Sequence, residues 1–168
     1  PQEAPHWLTA FPGTTTSMIW TLCRDERDRI WFTDETNLGV IDSKGESLPE
    51  GFPPYEPIDL GAGISGHVSL IPFSLNRYCS FSEVKFGAKT QPAMCFSGES
   101  AISCWIDNKR HDFTTINGIP KARVDVVTMG ESGYLLGGTA DRGLFRSKVP
   151  LSEMPKDPTD GFEFVWDI

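Results

Sequence analysis

Long hydrophobic runs, basic charge and closely spaced cysteines are all scarce in this chain of 168 residues. No apolar run approaches the ~18 residues that span a bilayer, so no membrane-crossing helix is expected. Lys and Arg number 15 against 23 Asp and Glu, for a net charge of −8. Nucleic-acid binding draws on counterion release by basic side chains, and this balance has the wrong sign. The one adjacent basic pair, Lys109-Arg110, reads as a solvated loop. Cys23, Cys79, Cys95 and Cys104 contain no Cys-x-x-Cys pair, which argues against zinc and thioredoxin-like chemistry. Gly-x-Ser-x-Gly, P-loop, His-Glu-x-x-His and EF-hand patterns are absent too, so an enzyme is the weaker expectation. No basic-then-apolar leader opens the chain and its first residue is Pro1, so a processed or excised chain is expected.

Turn chemistry is what the chain has in quantity. Sixteen Gly and 13 Pro accompany 39% apolar and 23% charged residues, ordinary values for a soluble globular chain. The length suits a single domain over 1–168 with a real core. From His111 to Phe145, four short apolar runs (Phe113–Ile116, Val124–Met129, Tyr134–Leu136, Leu144–Phe145) alternate with Asn-Gly, Gly-Glu-Ser-Gly and Ala-Asp-Arg-Gly. Such separators tolerate positive φ or bond back to their own backbone, as tight β connections require. Runs this short between breakers suit strands.

The pattern recurs. A shift of 105 residues places His6 on His111, Thr9 on Thr114, Gly13 on Gly118, Glu26 on Glu131 and Ile30 on Leu135. A shift of 64 places Phe32 on Phe96 and Leu38 on Ile102. Four-stranded units recurring at roughly 40–45 residues are the signature of propeller blades. The expected fold is therefore all-β, with β-propeller-like blades of four antiparallel strands in an incomplete or small ring. Copies cover about 6–42, 67–107 and 111–147, with a Pro/Gly-rich insertion over 43–66 and a C-terminal extension over 148–168. Strands are expected near 7–11, 18–23, 29–33, 38–42, 113–116, 124–129, 134–138 and 143–147, with a spare outer strand over 162–166. The expected core includes Ile19, Ile30, Phe32, Val40, Val126, Leu135 and Phe145. Three copies and a spare strand fall short of the four to eight blades of closed propellers, so a protein partner or further polypeptide is expected to complete the ring.

The motif Phe113-Thr114-Thr115-Ile116-Asn117-Gly118-Ile119-Pro120, then Val124–Val127, Gly138-Thr139 and Gly143-Leu144, resembles the propeller repeats in sensor regions of hybrid two-component regulators. Ile30-Trp31-Phe32 keeps part of the motif in the first copy; Leu136 replaces the usual Trp in the third, and the middle copy lacks Gly-Leu-Pro. The resemblance implies an extracytoplasmic module, periplasmic, cell-surface or secreted, that recognises a ligand without catalysis.

His6, His67 and His111 open the same element of each copy. Equivalent positions of different blades radiate apart, so no metal site is inferred from them, and no cofactor is expected. Cys95 and Cys104 lie on consecutive strands: a two-residue turn at Glu99-Ser100 sets them face to face, whereas a three-residue loop does not. Buried reduced thiols are the expectation and a bridge the alternative. Propeller ligands sit on the face carrying particular strand connections, here 13–17, 34–37, 98–100, 119–123 and 139–142. The candidate ligand-binding residues are Asp34, Glu35, Asn37, Glu99, Lys121, Arg123, Asp141 and Arg142. Trp20 and Trp31 are more readily core than sugar platforms.

Three functions follow in descending order. The first is a binding module for an extracytoplasmic ligand, carbohydrate included. The second is a structural propeller in a virion, tail or large complex. The third is a propeller glycoside hydrolase or lyase, for which Asp34, Glu35 and Asp141 are the candidate carboxylates.

Overall fold

The computed structural model describes residues 19–34, 36–60, 63–73, 79–86, 89–130, 132–155 and 158–166. The strands expected over 7–11, His6 and the loop 13–17 lie outside the described residues. The fold is all-β and antiparallel, in three sheets. The first holds β1 (Thr21–Arg24), β2 (Ile30–Thr33), β3 (Asn37–Asp42), β4 (Glu56–Asp59) and β5 (Ser65–Pro72), in the order β1-β2-β3-β5-β4. The second is β6 (Cys79–Phe86), β7 (Lys89–Gly98), β8 (Ala101–Ile106) and β9 (Lys109–Thr114), each beside the next. The third runs likewise through β10 (Val124–Met129), β11 (Leu135–Thr139), β12 (Gly143–Ser147) and β13 (Phe162–Trp166). The first strands come together, β1 against β6 and β10 against β6 and β7. No closed propeller is identified among the described residues.

Hairpin chemistry explains the elements. Asp25 N–H donates to Arg29 O and Asp28 N–H to Asp25 O; Gly130 and Gly133 make the same two bonds with Tyr134 and Gly130. Asp28 (φ 63°) and Gly133 (φ 80°) both take the left-handed conformation that this turn demands. These turns are 105 residues apart and link the first two strands of the first and third sheets. The Asn117-Gly118 turn differs from expectation. The strand stops at Thr114, and Thr115–Asn117 form a 3-10 turn in which Thr114 and Asn117 cap each other and Gly118 (φ 95°) closes it.

Two cores hold the stack together. Between the first and second sheets, Trp31 packs on Phe96 (5.6 Å), Trp105 (5.5 Å) and Phe52 (5.6 Å). Between the second and third, Cys95, Ile102 and Phe113 meet Val127, Leu135, Phe145 and Phe162. A third cluster, Phe32, Ile41, Ile58 and Val68, covers the other face of the first sheet. Of the expected core, Phe32, Val40, Leu135 and Phe145 are buried and Ile30 is half-buried. Ile19 (38% exposed) and Val126 (49%) are not core. Ile19 precedes β1, which begins only at Thr21. Val126 is turned outward by a bulge: Val124 pairs with Thr139 and Val126 with Gly138, so one extra residue reverses the alternation.

The Pro/Gly-rich insertion is a strap rather than a spare loop. Trp105 Nε1 donates to Glu50 O (2.9 Å), Glu50 N–H to Asn108 O (2.8 Å) and Arg110 N–H to Glu50 Oε2 (2.9 Å). The insertion thereby ties the first sheet to the β8–β9 hairpin, and it supplies Phe52 to the aromatic core. The segment after β12 behaves similarly, with Leu151 buried and Gly161 N–H donating to Asn117 O.

Candidate functional site

Cys95 and Cys104 are direct cross-strand partners, because Gly98 pairs with Ala101 and leaves a two-residue turn. They form a disulfide, which corrects the expectation of reduced thiols. Cys23 is disulfide-bonded as well.

The three connections between second and third strands do different work. In the first sheet, Asp34 is buried and its Oδ1 accepts from the backbone N–H groups of Thr36 and Asn37, both at 2.7 Å, while Asn37 Nδ2 donates to Oδ2 (3.0 Å). Asp34 and Asn37 are thus consumed in shaping their own turn. Glu35 lies outside the described residues. In the second sheet, Glu99 bridges backbone to backbone with Arg123, and Ser100 N–H donates to Ala122 O (3.0 Å). Ala140 N–H reaches Arg123 O (3.4 Å), bringing in the third connection.

Glu99, Arg123 and Asp141 therefore gather at one rim. Arg123 donates to Asp125 through Nε (2.6 Å) and Nη2 (3.2 Å). That hydrogen bond, the charge of Asp125, and then Asp141 and Glu99 hold the guanidinium above its ordinary value. Lys121 and Arg142 are exposed turn residues nearby, and Arg142 N–H donates to Thr139 Oγ1 (2.9 Å). Trp31 is wholly buried and presents no face to a ligand.

Beside Glu99, a cleft of about 320 Å³ lies between the end of β5 in the first sheet and β8–β9 in the second. One wall is apolar, from Pro72 and Phe73 at the end of β5, with Phe73 edge-on to Phe96 at 6.2 Å. The other wall is polar and rises from adjacent strands: Ser103 on β8, then Arg110, Asp112 and Thr114 on β9. Ser103 pairs with Asp112 across the ladder, and its hydroxyl donates to Asp112 Oδ1 at 2.6 Å. Arg110 Nε donates to the same oxygen at 3.0 Å, with its guanidinium stacked on Trp105 at 5.2 Å. Both bonds end on Oδ1, which leaves Oδ2 without a hydrogen-bond partner among the described residues.

These strand residues were not among the loop candidates. Lys109-Arg110, read from sequence as a solvated loop, begins β9 instead. The alternation of Arg110, Asp112 and Thr114 along one strand was the available signal. A second cleft of about 580 Å³ lies across β9, between His111 and the segment Leu151–Pro155. Burial there holds His111 below its ordinary range, against the opposing pull of Glu50 and Asp112.

Among the described residues, no group of His, Cys, Asp and Glu is disposed to hold a metal ion. His67 and His111 stand on β5 and β9 of different sheets. No helix among the described residues is long and apolar enough to cross a membrane. No family model, curated protein or solved structure matches this chain.

Proposed function

We propose that the chain is a non-catalytic binding module whose three sheets are successive blades of an open β-propeller. Its ligand is a small polar molecule, with carbohydrate as the class, seated in the cleft between the first and second sheets. The observation that carries this reading is the Ser103–Asp112–Arg110 wall facing Phe73. A sugar presents hydroxyls on its edges and C–H groups on its faces, and this cleft offers fixed donors and acceptors opposite an apolar wall. Glu99 lines the edge of the cleft, and Arg123 and Asp141 extend the charged cluster beyond it. The groups are held by rigid strands, so little ordering cost falls on binding. Disulfide-bonded Cys95 and Cys104 support an extracytoplasmic location, where such bonds persist.

Saturation-transfer NMR of the purified chain against a panel of neutral and acidic saccharides tests the proposal. Binding should be lost in Asp112→Ala and Arg110→Ala with the melting temperature little changed. Absence of any saccharide signal at millimolar concentration would overturn it. A second reading, an assembly element of a virion or other large complex, is favoured by one observation: the exposed apolar face of the third sheet.

A further inference from the structure

Each sheet directs a matching set of positions towards the next one. In the first sheet these are Trp31, Leu38 and Ile71; in the second, Cys95, Ile102 and Phe113. The register makes them equivalent. Leu38 pairs with Thr33 and Ile71, Ile102 pairs with Ser97 and Phe113, and Trp31 and Cys95 lie two residues before Thr33 and Ser97. All six are at most 6% exposed, because the following sheet lies on them.

In the third sheet the same positions hold Leu136, Leu144 and Trp166. Leu144 pairs with Gly138 and Trp166, and Leu136 lies two residues before Gly138. Here no described residue covers them: Leu136 is 39% exposed, Leu144 46% and Trp166 62%. Val126, opposite Gly138, adds a fourth apolar side chain to the face. A contiguous apolar face of this kind marks an interaction surface. Arg146 and Glu163, paired at 2.8 Å, bring no net charge to it although the chain carries −8.

The other end of the stack is largely covered. On the first sheet, the face turned away from the second is buried at Phe32, Val68 and Ile58, although Leu22, opposite Phe32, is 65% exposed. Head-to-tail stacking of two copies would therefore meet a face on which most apolar side chains are already covered. The surface that remains is third sheet against third sheet, and a two-fold axis makes one apolar patch complementary to itself. We propose that this face is a homodimer contact, covered by the same face of a second copy. Strands ~4.8 Å apart and residues spaced ~3.3 Å give the face an in-plane area on the order of 300 Å². That is well below the ~800 Å² per partner of a standard interface, so the dimer is weak and concentration-dependent.

Sedimentation equilibrium of the 168-residue chain from low micromolar to submillimolar concentration tests this. The weight-average mass should climb from the 18.6 kDa monomer towards twice that value and stop there. Leu144→Glu, at an exposed position that tolerates charge, should hold the mass at the monomer value with an unchanged circular dichroism spectrum. Ile116→Glu, at an exposed apolar residue on the 3-10 turn, should dimerise as the parent does. A mass that stays monomeric at every concentration overturns the proposal. So does association that Leu144→Glu leaves intact, or growth beyond the dimer.

Discussion

The ring of Phe145 fills the space that a Cβ on its cross-strand partner Gly137 would occupy, with Cε2 2.8 Å from that point. Phe32 lies over Gly39 in the same way on the first sheet. In each case an aromatic ring lies flat on bare backbone, and the glycine is required for the room it leaves. Gly137→Ala should push Phe145 out of its rotamer and cost about 1–3 kcal/mol in urea denaturation. Gly130→Ala, whose added Cβ meets nothing nearer than 3.8 Å, should shift stability by less than about 0.5 kcal/mol.

Asp25 is buried and accepts four hydrogen bonds, from the backbone N–H groups of Arg27 and Arg29, from Arg29 Nε (2.7 Å) and from Trp31 Nε1 (2.7 Å). Asp25→Ala strands the Arg29 guanidinium in the interior and should cost about 3–5 kcal/mol. The companion double variant, Asp25→Ala with Arg29→Met, should recover part of that loss. A double-mutant cycle by chemical denaturation reads the coupling directly, and additive losses would mean the pair is not coupled.

The Cys95–Cys104 disulfide closes a short loop across β7 and β8. Loop-entropy reasoning puts its contribution at about 2–3 kcal/mol. The Cys95→Ala, Cys104→Ala variant should melt lower than the parent under oxidising conditions. An equal melting temperature would show that the bond does not form in solution.

His111 supplies a pH dependence. Its folded-state pKa lies below the ordinary 6.5, chiefly through partial burial. As pH falls through about 6.5 the unfolded chain takes up its proton first, so this group's effect on stability becomes unfavourable. The loss grows until pH reaches the folded-state pKa and then levels. Its amplitude is small because much of the imidazole still meets solvent. The His111 Cε1–H resonance should titrate with a midpoint under 6.5, and His111→Gln should flatten this part of the stability profile. A midpoint at or above 6.5 would contradict the assignment.

What the sequence determined by itself is local. Val124–Met129, Gly143–Ser147 and Phe162–Trp166 are strands at the expected bounds, because alternating apolar residues between Gly-rich turns leave the backbone few other choices. The matching turns at Asp25–Arg29 and Gly130–Tyr134 belong to the same local chemistry. Tertiary structure decided the rest. One bulged residue in β10 sends Val126 to solvent and Val127 to the core, a reversal invisible in the apolar pattern. The Cys95–Cys104 bond hung on whether the intervening turn held two residues or three. Asp34 was spent within its own turn, whereas Ser103, Arg110 and Asp112 became the polar wall of a cleft. The cleft beside that wall needs Pro72 and Phe73 of the first sheet opposite β8 and β9 of the second, and Phe73 packs on Phe96, 23 residues away in the chain. Strand identity comes from neighbours in sequence; faces, registers and clefts come from neighbours in space.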